Sequence, residues 1–152
     1  MREAIGTTYV LNFIIVFFVI FIAFFVGSMV YTKAFKVKNK IIDIIEYYDG
    51  DVVDGSNSLK SGPLTDINNK LGSIGYRIAN NNQNNCDNNR FTDKGCQIVN
   101  KGNSNYRYCI YKFKENRGTY YGVVTYMYFE VPIIGAKLEL PIYGETRTFI
   151  KL

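Results

Sequence analysis

The feature that most constrains this chain is the stretch from Tyr9 to Val30: 22 consecutive residues without a charge, with Asn12 the only strongly polar side chain among them. As a helix rising ~1.5 Å per residue it is about 33 Å long, enough to cross a ~30 Å hydrocarbon core. A secretory signal peptide would carry a shorter apolar region and a small-residue cleavage site, which Gly27 and Ser28 supply poorly. A retained membrane anchor is the expectation.

The apolar pattern continues past that block. From Tyr31 to Tyr48 there is no Gly or Pro, and Ala34, Val37, Ile41, Ile44, Ile45 and Tyr48 recur at helical spacings of three and four. Asp49-Gly50-Asp51 then supplies a stop, with Gly50 suited to the left-handed C′ position. The reading is one unbroken helix from about Thr7 to Tyr48, apolar all round in its first half and striped in its second. The chain divides into an N-terminal flank and transmembrane half (1–30), an amphipathic half (31–50) and a domain (51–152).

Within that domain, Asp51 to Pro63 reads as a loop. Leu64, Ile67, Leu71 and Ile74 mark a short amphipathic helix that starts at a Thr65 cap and ends at Gly72 and Gly75. Asn80 to Asn89 is low in complexity, eight of ten residues being Asn or Gln, and is expected to be a surface loop. Four strands follow: Gln97 to Asn100, Asn105 to Lys114, Thr119 to Val131 and Lys137 to Lys151, rich in Tyr, Val, Ile and Phe. Turns are expected at Lys101-Gly102-Asn103-Ser104, at Asn116-Arg117-Gly118 and around Pro132 and Gly135, while Pro141 and Gly144 mark a bulge or an edge. The fold class is α+β: a long N-terminal helix laid on a C-terminal antiparallel meander.

Composition narrows the function. The chain has 152 residues and no histidine, which removes the commonest general base and metal ligand. There is no phosphate-binding glycine loop and no paired carboxylates at a recognisable spacing, so an enzyme is not expected, nor a metal or other cofactor. Of the +5 net charge, Lys33, Lys36, Lys38 and Lys40 account for most, and they follow the apolar block directly. A basic cluster beside a membrane segment is not the clustered basic face of a nucleic-acid binder, so the bilayer is the expected partner. A Lys40–Asp43 contact is expected along the helix surface.

Cys86, Cys96 and Cys109 all lie beyond the long helix, without a C-x-x-C spacing. In an exported domain two of them would pair. Pairing Asn100 with Asn105 across a tight turn would set Cys96 opposite Cys109, whereas Cys86–Cys109 would fasten the Asn-rich loop to the sheet. Cys109 is one expected partner and the other stays open; three free thiols in a cytoplasmic domain are the alternative. Orientation is contested as well. The lysines after the span favour a cytoplasmic domain, whereas the cysteines, the Asn-rich loop and the Tyr-rich sheet favour the outside, which is the expectation adopted.

Glu3 ahead of the span, together with Tyr126-Met127-Tyr128-Phe129-Glu130-Val131-Pro132-Ile133-Ile134-Gly135, Leu138-Glu139-Leu140-Pro141-Ile142 and Gly144-Glu145-Thr146, resembles the layout of type IV pilin-like proteins. Within that superfamily the chain looks most like the TadE-like pseudopilins, or minor pilins, of bacterial tight-adherence and secretion systems. The resemblance implies a structural or accessory role in pilus assembly or secretion at the cell surface, with other pilin-like subunits or copies of this chain as partners. It also implies that Glu3 pairs with the α-amine of a neighbouring subunit inside the helical bundle of a filament. Residue chemistry alone offers a plainer role, in which Glu3 flanks the helix start and is stabilised by the dipole. The competing function is a membrane-anchored extracytoplasmic binding or sensor module, with Tyr106, Tyr120, Tyr126 and Tyr128 as its ligand surface.

Overall fold

The computed structural model describes residues 2–75, 86, 90–92, 96–102, 107–130 and 137–150. The first element, α1 (Arg2–Tyr47), is a single helix through both the apolar block and the striped half. Its end is a Schellman turn: Asp49 N donates to Glu46 O (3.1 Å) and Gly50 N to Ile45 O (3.1 Å). The left-handed C′ residue is therefore Asp49 (φ 49°) rather than the expected Gly50, which follows it at φ 74°. Gly50 has its own reason to be glycine, since a Cβ there would lie 2.5 Å from the Phe149 ring.

The second helix, α2 (Ser61–Ile74), begins earlier than expected. Lys60 occupies the N-cap without a side-chain cap bond. Thr65 caps nothing; its hydroxyl donates to Ser61 O one turn back (2.8 Å). Pro63 is accommodated in the first turn, where an N–H has no intrahelical partner to lose. Gly72 lies inside the helix, and Gly75 ends it in the left-handed conformation.

Four antiparallel strands form a meander in the order β1 (Gln97–Asn100), β2 (Tyr108–Glu115), β3 (Gly118–Glu130) and β4 (Lys137–Glu145). The expected turn at Asn116 and Arg117 closes a tight hairpin, with Glu115 opposite Gly118. β4 is an edge strand, so Pro141 loses no ladder bond to an outer neighbour, and pairing with β3 runs unbroken through Pro141 and Gly144. No bulge forms there. β4 stops at Glu145 rather than Lys151, but the chain keeps running along β3, one residue out of step by its end: Thr146 N donates to Tyr121 O (2.9 Å) and Phe149 bridges Thr119. Asn105, Tyr106, Pro132, Gly135 and most of the Asn-rich stretch lie outside the described residues.

The sheet is buried on both faces, which explains the run of buried residues in β2 from Tyr108 to Tyr111. Its inner face, with Tyr108, Ile110, Tyr121, Val123 and Met127, packs on Ala34, Val37, Ile41, Ile44 and Ile45 of α1 and on Ile67 and Leu71 of α2. The stripe read from the sequence is thus the stripe that α1 buries. Two polar bonds fix the helix on the sheet. Thr125 Oγ1 donates to Ala34 O (3.1 Å), and Tyr121 Oη to Gly50 O (2.8 Å). Gly144 allows close approach on this face, where a Cβ would meet Lys38 at 2.7 Å and Ile42 at 2.8 Å.

The outer face holds Cys109, Tyr111, Phe113 and Val124 under Cys86 and Phe91. Cys86 is bonded to Cys109. Its carbonyl accepts the Tyr111 hydroxyl (2.6 Å). Phe91 sits among Tyr111, Phe113 and Tyr143 with ring centroids 5.3–5.6 Å away. Gly122 makes room for it, a Cβ there falling 2.9 Å from both Phe91 and Phe113. The expected Asn100–Asn105 pairing is wrong: Gln97 faces Lys112 and Ile98 faces Tyr111, a slide of four residues along β2, with an irregularity before Asn100. Cys96 therefore does not oppose Cys109, and its thiol is free.

Candidate functional site: the uncovered half of the long helix

Residues 8–30 of α1 carry the largest feature that the fold leaves unexplained. Tyr9, Phe13, Phe17, Phe18, Ile20, Phe21 and Phe24 are each more than half exposed, and no described part of the chain covers most of this surface. Soluble monomers do not leave so long an apolar surface bare. One helix here is long and apolar enough to be a candidate single membrane span.

The change of environment along α1 is abrupt. Ala34 and Val37 are fully buried, while Tyr31 is 51% and Phe35 40% exposed on the same two turns. Tyr31 and Phe35 stack at 6.2 Å. The lysine cluster is split: Lys33, Lys36 and Lys40 are exposed, with Lys40 bonded to Asp43 at 3.2 Å as expected. Lys38 instead lies along Gly144 with its ammonium 4.1 Å from the Phe35 ring centroid. An exposed pair such as Lys40–Asp43 contributes little stability. Glu3 falls in the first turn of α1, but its side chain lies outside the described residues.

At the opposite end of the domain, a half-open cleft of about 580 Å³ lies between the end of α1 and the β2–β3 turn, lined by Asp49, Lys112, Lys114, Glu115, Arg117 and Phe149. Its charges are mixed. Arg147 reaches Asp49 (2.7 Å) and donates its backbone N–H to Glu46 (3.0 Å), tying the C-terminal segment across the helix end. Among the described residues no group of His, Cys, Asp and Glu could hold a metal ion.

Two of the tyrosines named as a ligand surface are engaged in packing. Tyr120 stacks on Phe113 at 4.8 Å, and Tyr126 lies under the Arg107 guanidinium at 4.2 Å. Arg107 in turn pairs with Glu139. Tyr128 is half-buried, and Tyr106 lies outside the described residues. On the inner face, burial pushes the hydroxyls of Tyr108 and Tyr121 up to about 12, so both are neutral donors at any ordinary pH.

Several structural anchors escaped the sequence reading. Thr125 carried a usable signal: a polar residue in step with the inward-facing Val123 and Met127 must find a partner inside. Phe91 carried none, since its neighbours in sequence are polar. No known family, curated protein or solved structure matches this chain.

Proposed function

We propose that this chain is a pilin-like, TadE-like single-pass membrane protein that serves as a structural or accessory subunit of a pilus- or secretion-type surface assembly. One observation carries the reading. α1 runs without a break from an apolar half that the described residues leave mostly uncovered into a half that packs in the core of the domain. Such a helix can join the bilayer, or a bundle of equivalent helices, to a folded head without a hinge. The Cys86–Cys109 bond favours an oxidising compartment and so an exported head. In this reading Glu3, at the border of the apolar stretch, pairs with a neighbouring subunit, because a carboxylate at bilayer depth is costly alone.

The test is crosslinking in native membranes. A Phe17→Cys variant in a Cys96→Ser background has one free thiol per chain, so a mild oxidant should give disulfide-linked dimers, and Glu3→Ala should reduce them. Monomer only, with no dimer formed, removes the assembly role. The alternative then stands: an anchored extracytoplasmic binding or sensor module that uses the distal cleft beside Asp49 and Arg117.

A further inference from the structure

The sheet reaches further towards the membrane than the domain boundary implies. β3 runs antiparallel to α1, from Tyr121 at the Gly50 carbonyl to Thr125 at the Ala34 carbonyl. From Thr125 the strand continues to Glu130, about 17 Å at ~3.3 Å per residue. That length matches about eleven residues of helix at ~1.5 Å each, and carries the strand end alongside the part of α1 before residue 30. Packing agrees, because Ala23 and Val30 are partly buried against the core that contains Met127. β4 gives the same level independently. Gly144 touches Lys38 and Ile42, and Leu140 lies about 13 Å further along the strand, level with Tyr31.

Around the rest of α1, Phe24 (78% exposed), Phe25 (56%), Met29 (54%) and Tyr31 (51%) are open at this height. Side chains of that size are driven from water, so lipid that covers the span rises to Tyr31. The sheet end then meets the same layer. We propose that the end of the β3–β4 ribbon, residues 127–130 and 137–140, lies in the boundary between headgroups and acyl chains, as a second membrane contact beside the span.

The chemistry of that end suits a headgroup layer rather than the hydrocarbon centre. Leu140 is 52% exposed on the edge strand, opposite Met127. Beside it, among the described side chains, Arg107 pairs with Glu139. Lys33 and Lys36, exposed at a similar height, offer cations to lipid phosphates. The ribbon and the span together fix how the head sits on the bilayer, which a lone helix cannot do.

This inference rests on the membrane part of the proposed function, not on assembly. The chain contains no tryptophan, so a single introduced one is a unique emitter. Phe17→Trp, Leu140→Trp and Lys114→Trp are placed, as full-length protein, in phosphatidylcholine vesicles whose acyl chains are brominated at shallow or deep positions. Half-exposed Leu140 can take the larger ring without repacking the core. Phe17→Trp should be quenched best by deep bromines. Leu140→Trp should be quenched about two-fold more by shallow than by deep ones, as for an interfacial residue. Lys114→Trp, at the far end of the sheet, should not be quenched. If Leu140→Trp behaves as Lys114→Trp while Phe17→Trp is quenched, the ribbon lies in water and this inference falls while the span stands. If Phe17→Trp is also unquenched, the membrane reading falls with it.

Discussion

The two faces of the sheet are both buried, but by different means. The inner face lies under α1 and α2, whose apolar positions repeat with the helical period, so many side chains contribute and none is decisive. The outer face is covered, among the described residues, by two apolar groups whose sequence neighbours are mostly polar, Cys86 and Phe91. One is held by a covalent bond and the other by three aromatic rings. A regular element can cover a sheet through the hydrophobic effect alone. A segment of asparagines cannot, because it has too little apolar surface to offset the entropy of ordering it. The disulfide and Phe91 supply what the composition lacks.

The largest expected effect probes the inner face. Ile41 is fully buried, and Ile41→Ala should cost about 2–5 kcal/mol through lost transfer energy and a cavity. Hydrogen exchange on detergent-solubilised protein should then show loss of protection across α1, α2 and all four strands together. Protection lost only near Ile41 would mean that the inner face is not one cooperative unit.

The outer face should fail differently. Replacing Cys86 and Cys109 by serine opens a link spanning 23 residues, worth ~3 kcal/mol in the chain-entropy account. Protection should fall around Phe91 and Tyr111, while the amides of residues 34–47 stay slow. Equal loss in α1 would break the distinction between the faces.

The smallest effect sharpens the picture within one face. Tyr121 donates to Gly50 O, so Tyr121→Phe should lose about 1 kcal/mol in a denaturant titration. Tyr108 is equally buried, but among the described residues its hydroxyl has no hydrogen-bond partner. Tyr108→Phe should therefore be neutral or stabilising, since the hydroxyl is buried without return. Two identical substitutions on one face would then differ in effect, only Tyr121→Phe being destabilising.

Much of this architecture was legible because it rests on periodicity. The spacing of Ala34, Val37, Ile41 and Ile45 gave both the helix and its buried stripe, and alternation gave four strands in sequence order. What failed depended on choices that periodicity does not contain. The β1–β2 register was misplaced because a tight turn at Asn100 and Asn105 was assumed, where a longer connection slides β1 four residues along β2. The start of α2 was missed because Lys60 is no typical cap. Two-sided burial was hidden as well, since the cover of the outer face comes from residues that read as loop. At the candidate site, the apolar half of α1 was plain from its length. The level of the β3–β4 ribbon was not, because Thr125 and Ala34 meet only after folding.

α1 is one element of 46 residues, so under the membrane reading proposed above any tilt of its apolar half would be carried to the head. Beyond Gly27 it contains neither glycine nor proline, the usual places for a helix to bend. From residue 31 to its end the helix is about 25 Å long, with the sheet fastened along its side. Bilayer helices tilt by ~20° on average, and a rotation of that size would carry the distal end of the domain about 9 Å sideways. Under that reading the molecule would act as a lever, small changes in the packing of the apolar half becoming larger displacements of the cleft beside Asp49.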